Sequence, residues 1–365
     1  MKKAIVAYIF LACLVSACSN SSFVQVTETP IPTNTPTKTP EPTATPTPLP
    51  TATPTLMPTP IGSGMGKIAY IKYVESAKDQ SKIANIFIYD FSTQTETQIT
   101  YNKNNTNSYV FSNVNWSPDG KTLVFSASEY TYDYGNTQYW NSLLYTINSD
   151  GTDMKKLSVH PQFVGNYEGE YILYEGRPVY FDNENILFLS NRKNLHNFLW
   201  EPLIPYLINI NTLEINVPFT TYLNIDVMTV SADQSKIAFM SGETTRSELY
   251  LVDLSDNAKV KQLTTNNFSD RFPSFSPDGK RISFHSDRDG NIELYVMELE
   301  TEEITRVTFN SASDATSSWS PDGNWLAFGS DQTGIIEAFI QNIHTGERIQ
   351  ITNGGDQVSF VRWSP

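Results

Sequence analysis

The sequence has few cysteines and histidines, a shortage of positive charge, and no long apolar run after its first residues. Its 2 cysteines, Cys13 and Cys18, both lie near the N-terminus, so the remaining chain offers no thiol for a disulfide. The formal net charge of -14 argues against binding to nucleic acid through the folded part. The lack of a later apolar run argues against a spanning helix, which needs about 20 such residues.

Common enzymatic signatures are also missing. The chain contains no GxSxG nucleophile elbow, no HExxH motif, no phosphate loop and no dinucleotide-binding glycine pattern. The 4 histidines lack the local spacing of a metal site and are scattered at His160, His196, His285 and His344. These absences predict a protein with no cofactor, no metal site and no catalytic residue.

The first residues predict export. Lys2 and Lys3 precede an apolar stretch at 4–15 that is too short to span a bilayer comfortably, and small residues then lead to Cys18. This arrangement resembles a bacterial lipoprotein signal, which implies a signal peptide at 1–17 and a lipid on Cys18. Cys13 fits that pattern less well because bulky Phe10 precedes it, and an ordinary secretory signal is the alternative. The expected location is extracytoplasmic, at the cell surface or in the periplasm, with a lipid anchor in the membrane.

Residues 18–64 are expected to form a tether behind the lipidated cysteine. Residues 27–60 are mostly threonine and proline, a composition that cannot form a core and that favours extended polyproline II. At about 3.1 Å per residue such a segment reaches on the order of 100 Å. The sequence therefore predicts a spacer between the membrane and a folded domain at 65–365.

That domain contains an internal repeat. The five residues Phe275-Ser276-Pro277-Asp278-Gly279 recur at 319–323 and at 116–120 with Trp in the first position. A partial copy, Trp363-Ser364-Pro365, follows the one at 319–323 by 44 residues. In Ser-Pro-Asp-Gly, proline presets φ for a type I turn and glycine accepts the positive φ that returns the chain, so each copy predicts a hairpin.

Four short strands are expected in each repeat. In the copy that begins at Phe275, the first turn is followed by strand-like segments at 281–284, 293–297 and 304–308. The polar segment 287–291 between two of them could be interpreted as a calcium loop, but it lacks the closing glutamate and matches an ordinary turn. A period of about 44 residues with four strands is typical of a propeller blade.

The WSPDG turns resemble those of TolB-type propellers, which also occur in some prolyl-oligopeptidase-like enzymes. The resemblance implies an all-β fold, a six-bladed β-propeller of four-stranded antiparallel blades. Degraded copies supply the missing blades, so the inner strands should end at Trp116, Tyr180, Val230, Phe275, Trp319 and Trp363. Because the last copy stops where its second strand should begin, the C-terminal strand is expected to join the first blade and close the ring.

The first three blades are expected to carry insertions on one face, opposite the WSPDG turns. These insertions are at 73–84, 101–109, 128–142, 159–176 and 191–204. They are rich in aromatic residues, which are frequent in binding surfaces; the alternative is that these residues pack on each other. The candidate binding residues are Tyr130, Tyr132, Tyr134, Tyr139, Trp140, Phe163, Tyr167, Tyr171, Phe198 and Trp200.

The expected function is non-catalytic binding or scaffolding. The face with the insertions would engage a protein or a cell-envelope glycan, and the protein would be a monomer. TolB also has a separate α/β domain, for which the tether leaves no room, so the resemblance does not imply TolB's transport role. The alternative function is a propeller enzyme, either a metal-dependent polysaccharide lyase that gathers histidines from several blades or the remnant of a peptidase.

Overall fold

A computed structural model describes the fold over eight stretches of the chain. They are residues 65–75, 82–102, 110–132, 138–158, 173–192, 203–221, 223–243 and 246–365, with the backbone alone at 82, 129–132, 138–140 and 243. All regular elements in these stretches are β-strands. No helix in the described part of the chain is long and apolar enough to cross a membrane.

The strands follow one another along the chain in groups of three or four. The first group is β1 (Lys67–Glu75), β2 (Lys82–Asp90) and β3 (Thr95–Gln98). The second is β4 (Val110–Trp116), β5 (Thr122–Tyr132), β6 (Gln138–Asn148) and β7 (Lys155–Lys156). The third is β8 (Glu175–Tyr180), β9 (Asn185–Ser190), β10 (Ile204–Asn209) and β11 (Ile215–Asn216).

The later groups have the same organisation. The fourth is β12 (Ile225–Val230), β13 (Lys236–Glu243), β14 (Arg246–Asp253) and β15 (Lys259–Gln262). The fifth is β16 (Asp270–Phe275), β17 (Arg281–Ser286), β18 (Glu293–Glu298) and β19 (Ile304–Arg306). The sixth is β20 (Asp314–Trp319), β21 (Trp325–Ser330), β22 (Glu337–Asn342) and β23 (Arg348–Gln350), followed by β24 (Val358–Trp363).

Each group forms one antiparallel, four-stranded blade, and the first blade is completed by β24. The first strands of consecutive blades are in contact around the whole ring, in the order β4, β8, β12, β16, β20, β24 and back to β4. Each of these six strands ends at the residue predicted from the repeat. The predicted six-bladed propeller is therefore confirmed.

The ring closes by pairing of the two ends of the domain. Ile68 in β1 lies opposite Trp363 in β24, and the Ser364 backbone amide donates to the Lys67 carbonyl oxygen at 2.8 Å. The Trp363 indole N–H donates to the Met65 carbonyl oxygen. Closure by the C-terminal strand is confirmed, and it covers the edge that β1 would otherwise expose.

The WSPDG turns have the predicted chemistry. In the copy at 319–323 the Gly323 amide donates to the Ser320 carbonyl oxygen at 2.9 Å, and Gly323 has φ of +69°. The Ser320 hydroxyl donates to Asp322 Oδ1 at 2.6 Å and accepts the Trp325 amide at 2.9 Å. Thus the serine fastens the turn to the strand that follows it. The same serine bonds recur at Ser117, Ser231 and Ser276.

The core lies between the blades. Six buried apolar clusters are present, each formed by the facing sheets of two neighbouring blades. The fourth residue in the second strand of each blade is a fully buried aromatic. It stacks on an aromatic residue of the third strand. The pairs are Tyr70 with Phe87, Phe125 with Tyr145, Phe188 with Tyr206, Phe239 with Tyr250, Phe284 with Tyr295, and Phe328 with Phe339.

The expected insertions at 73–84 and 128–142 need correction. Much of each is strand, because β1 continues to Glu75 and β5 continues to Tyr132 before the chain returns in β2 and β6. The residues involved include Tyr, Trp, Thr, Val and Ile, which have high β propensity and extend the ladder beyond the compact blade. In the first two blades the second and third strands are therefore longer than the 6-residue strands of the last two blades.

Candidate binding face and central channel

The propeller has two different faces. The face that carries the first-to-second and third-to-fourth strand connections is called here the turn face. The face that carries the second-to-third connections and the connections between blades is called the loop face. Contacts confirm that these two kinds of loop-face connection meet. For example, the Asn291 side-chain amide donates to the carbonyl oxygens of Asn310 at 3.0 Å and Ala312 at 2.7 Å.

A buried threonine fixes the start of four loop-face connections. Its hydroxyl accepts a backbone N–H of the third strand, as from Leu249 to Thr264 Oγ1 at 2.9 Å. The Thr264 hydroxyl in turn donates to Glu248 Oε2 at 2.7 Å, while Glu248 Oε1 accepts the Asn266 amide at 3.0 Å. These bonds satisfy polar groups that the blades bury. The equivalent threonines are Thr100, Thr308 and Thr352.

Exposed aromatic side chains follow these fixed positions on the loop face. Tyr101 is 73% exposed, and Phe268 and Phe309 are each 43% exposed. Large apolar side chains this exposed are few in the described chain, and the others are Val110, Met154 and Leu213. Exposed aromatics held on a rigid base are typical of surfaces that bind other molecules.

Phe309 stands over an arginine that is itself held by two carboxylates. Arg306 Cζ lies 4.8 Å from the centroid of the Phe309 ring. The same guanidinium donates to Asp289 Oδ2 at 2.9 Å and to Glu293 Oε1 at 3.0 Å. Asp289 is the third residue of the segment at 287–291, in which the Gly290 amide donates to the Asp287 carbonyl oxygen at 3.0 Å. The segment therefore forms a hydrogen-bonded turn, as the sequence predicts.

The aromatic residues predicted from the sequence fall into two sets. The structure places the backbone of Tyr130 and Tyr132 in β5 and of Tyr139 and Trp140 in β6, where Tyr130 is opposite Trp140. The other predicted residues lie outside the described parts of the chain. They are Tyr134, Phe163, Tyr167, Tyr171, Phe198 and Trp200. Their role in binding stays a prediction, as does that of the first set.

The histidines bear on the enzymatic alternative. His285 is buried in β17, where burial, reinforced by the charge of Arg271, lowers its pKa to about 3. His344 is exposed in a turn of the sixth blade, and His160 and His196 lie outside the described residues. Within the described stretches, no group of three His, Cys, Asp or Glu side chains is arranged to hold a metal ion.

A second candidate site lies on the ring axis, in the space enclosed by the six first strands, which we call the channel. The first strand of each blade contains a register shift. In five blades a residue at the shift has positive φ, which costs roughly 1–2 kcal/mol for a residue other than glycine. The five residues are Asn113, Arg177, Phe272, Thr316 and Phe360. Bulges of this kind change the direction of a side chain.

Arg177 connects several blades across the channel. From the third blade its Nη1 donates to Asn113 Oδ1 in the second blade at 2.9 Å, and its Nε donates to Asp226 Oδ1 in the fourth at 3.0 Å. Its Cζ also lies 5.9 Å from the centroid of the Phe272 ring in the fifth blade. One side chain can reach four blades only near the axis, so these groups line the channel.

Arg362 enters the channel from the first blade. Its Nε donates to Asn115 Oδ1 at 3.0 Å, and its Nη1 donates to the carbonyl oxygens of Val361 at 3.0 Å and Thr316 at 3.2 Å. All three acceptors are neutral. Burial lowers the pKa of Arg362 to about 10, with a contribution from the charge of Arg177, so the guanidinium remains protonated at neutral pH.

The fold and these sites define a closed propeller whose blades repeat a WSPDG turn. The chain belongs to the family described as "Dipeptidyl peptidase IV (DPP IV) N-terminal region", whose model matches residues 63–289, and is a TolB-like propeller, since the "TolB beta propeller domain" model matches residues 224–365. The resemblance predicted from the repeated turns is thus confirmed. No curated protein matches the chain.

Solved structures show the same fold. TolB from Acinetobacter baumannii is similar with a TM-score of 0.62 and 17% identity, over 83% of this chain and 68% of that one. A putative TolB from Agrobacterium tumefaciens has a TM-score of 0.53 and 16% identity, over 82% of this chain and 99% of that one. A puromycin hydrolase has a TM-score of 0.53 and 13% identity, over 81% of this chain and 47% of that one. At these identities the likeness concerns the fold alone.

Proposed function

We propose that this protein is a non-catalytic binding or scaffold lipoprotein whose loop face engages a protein or a cell-envelope glycan outside the cytoplasmic membrane. The observation that carries the proposal is the set of exposed aromatics on that face, Tyr101, Phe268 and Phe309. The TolB-like fold supports a binding role, since structures that share it include proteins described as TolB.

The geometry of the loop face favours recognition of a surface. Backbone N–H groups beside Tyr101, Phe268 and Phe309 donate to side-chain oxygens of Asn85, Glu248 and Glu293 respectively. These bonds fix the backbone there, so little conformational entropy is lost when the rings are covered. Tyr101 and Phe309 are in different blades, which makes the proposed contact broad. An aromatic face of this kind suits stacking on sugar rings or packing against a partner's apolar side chains.

Anchoring through Cys18 is the second part of the proposal. It is supported by the small residues that precede Cys18 and by the Thr/Pro tether that follows. Replacing Cys18 with Ala is expected to move the protein from the membrane fraction to the soluble extracytoplasmic fraction and to abolish incorporation of labelled palmitate. Unchanged membrane association and labelling in C18A would contradict lipidation at this residue.

Binding to a glycan is tested with matched variants of the two faces. In the loop-face variant Tyr101, Phe268 and Phe309 are all replaced by Ala, and in the control Met154 and Leu213 on the turn face are replaced by Ala. Co-sedimentation with isolated peptidoglycan, and binding to an array of envelope polysaccharides, should fall at least tenfold for the loop-face variant only.

The folded state should be little affected in both variants because substitutions at exposed positions usually change stability by less than about 0.5 kcal/mol. Urea unfolding checks this. If both variants bind glycan as well as the wild type does, the aromatic residues of the loop face do not bind glycan. The proposed partner of that face would then be a protein.

A further inference from the structure

The channel contains more positive than negative charge in its central group of side chains. Arg177 and Arg362 contribute two guanidinium groups, and Asp226 is the carboxylate that pairs with Arg177, through Nη2 and Nε, both 3.0 Å from Oδ1. The hydrogen bonds of Arg362 go to neutral oxygens. The group formed by Arg177, Asp226, Arg362, Asn113 and Asn115 is called here the channel cluster, and it carries a formal charge of one positive unit.

Two asparagines hold the guanidinium groups in place. Asn113 and Asn115 are two residues apart in β4, and they bind Arg177 and Arg362 respectively, which approach from the blades on either side. The Asn115 carboxamide also donates to the Pro178 carbonyl oxygen at 2.8 Å, which ties the second blade to the third. Arg177 is thus held by a carboxylate and an amide, whereas Arg362 is held by neutral groups alone and has no carboxylate partner among the described residues.

Arg362 keeps donor capacity for a ligand. Its Nε and Nη1 make the bonds described above, whereas Nη2 makes none within the described part of the chain. Water reaches the cluster, since the side chain of Asp226 is 42% exposed and Arg362 is partly exposed. A guanidinium presents several N–H groups in a rigid plane that suits oxyanions.

We infer that the channel cluster binds one carboxylate group through Arg362. A monovalent carboxylate matches the single excess charge, whereas a doubly charged phosphate would leave an uncompensated negative charge next to Asp226. The ligand is a small organic acid or the terminal carboxylate of a peptide, and both present the same chemistry to Arg362. This site is separate from the aromatic loop face, so the two proposals can fail independently.

Calorimetry with the full-length protein tests the inference with three probes. Benzoate represents a free acid, an N-acetylated tripeptide ending in a free phenylalanine carboxylate represents a chain terminus, and the same peptide with an amidated end lacks the charge. Saturable binding of benzoate or the free-acid peptide, without binding of the amide, is expected. Absence of binding by both acids, or tighter binding of inorganic phosphate than of either, overturns the inference.

Charge-changing variants locate the site. Arg362→Gln should weaken binding of the acid probe at least tenfold. Arg281→Gln is the matched control, because Arg281 stacks 4.7 Å over Trp319 near the turn face and binds the Gly323 carbonyl oxygen. Equal loss in both variants, or wild-type binding by folded Arg362→Gln, contradicts the assignment.

A variant with the opposite expected effect guards against misfolding of Arg362→Gln. Asp226→Asn removes the negative charge from the channel cluster at a side chain that is partly exposed, so it should strengthen binding of the acid probe several-fold. Weaker or unchanged binding by folded Asp226→Asn would overturn the inference even if Arg362→Gln failed to fold.

Discussion

At the scale of single residues, the repeat places a buried threonine at the start of the connection that leads from each compact blade to the next. Thr264 is 4% exposed and both accepts the Leu249 N–H and donates to the Glu248 carboxylate. Burying a polar group without a partner costs about 1–3 kcal/mol. The threonine therefore matters through the partners it satisfies rather than through its own hydrogen bonds alone.

Replacing Thr264 with Val keeps the shape and removes the hydroxyl. The Leu249 N–H and one Glu248 oxygen then lose their partner, and the free energy of unfolding should fall by about 2–4 kcal/mol. Thr305→Val is the control, because Thr305 is exposed in β19 and its side chain makes no hydrogen bond within the described residues. Urea unfolding measures both, and equal effects would contradict the role assigned to Thr264.

A buried histidine should make stability depend on pH. The pKa of His285 falls from 6.5 to about 3 on folding, mainly because of burial, so the unfolded chain takes up a proton that the folded protein excludes. Its Nδ1 accepts the Thr316 amide at 3.4 Å, and its ring lies 5.1 Å from that of Phe272. The contribution of His285 to the free energy of unfolding is thus constant above about pH 6.5. Below that pH the folded protein becomes progressively less stable, until the pH reaches about 3.

His285→Asn supplies the measurement. An asparagine oxygen can accept the same amide but does not titrate, so the variant should lack this part of the pH response. Between pH 7 and pH 5 the wild type should lose about 2 kcal/mol more stability than the variant, at about 1.4 kcal/mol per pH unit below 6.5. Parallel pH profiles in urea unfolding would show that His285 is not the group responsible.

At the scale of elements, the junction of β1 and β24 determines whether the ring is closed. Trp116 in the second blade donates its indole N–H to the Arg362 carbonyl oxygen in β24 at 3.0 Å, and Trp319 makes the equivalent bond to Ser274 at 3.0 Å. Thus β24 is bound both by its own blade and by the next one. The pairing joins residues almost 300 positions apart, and long-range contacts of this kind are associated with slow folding.

Two glycines with nearly the same backbone conformation test this junction. Gly66 and Gly120 have φ of +69° and +67°, so replacement by Ala costs both about the same backbone strain. A Cβ at Gly66 would lie 2.6 Å from Ser364 Oγ, whereas a Cβ at Gly120 meets nothing within 4 Å. Moving Ser364 breaks its bond with the Lys67 amide.

Gly66→Ala should therefore be less stable than Gly120→Ala by about 1 kcal/mol, the usual contribution of one hydrogen bond. The difference in urea unfolding midpoints gives this value after both variants are compared with the wild type. A larger effect in Gly120→Ala would show that the closing contact at Ser364 contributes little.

The strands also show how far the sequence could predict the elements. The ends of the six first strands were predictable because each turn is followed by a strand with the same apolar pattern. In the copies at Tyr180 and Val230, which lack both proline and glycine, the segments at 186–188 and 237–239 still mark the position. The lengths of β5 and β6 were not predictable, because the segment between a second and third strand gives the same polar and aromatic pattern whether it pairs or loops. The insertion predicted at 128–142 is for this reason mostly a continuation of β5 and β6.

At the scale of the whole molecule, the closed ring was predictable and the channel was not. The incomplete last repeat indicated which strand completes the first blade. By contrast, Arg177, Asp226 and Arg362 come from three blades, and each stands at a position that varies between repeats. A bulge in each first strand directs them to the axis, and no spacing in the sequence brings them together.

The loop face could be predicted in part. The sequence indicated which connections would share it, and the contacts of Asn291 confirm that they meet. Tyr101 and Phe309 were missed, although a signal was present, since the segments Thr100-Tyr101-Asn102 and Thr308-Phe309-Asn310 repeat the pattern threonine, aromatic, asparagine. In that pattern the threonine is buried and the aromatic next to it is exposed.

The most direct test of the proposed function is photo-crosslinking in living cells with benzoylphenylalanine at one position at a time. Tyr101 and Phe309 report on the loop face, and Met154 and Leu213 report on the turn face at comparable or lower exposure. The account predicts adducts with an envelope protein or glycan from the two loop-face positions and none from the other two. Adducts from the turn face alone, or no adduct at any of the four positions, would contradict it.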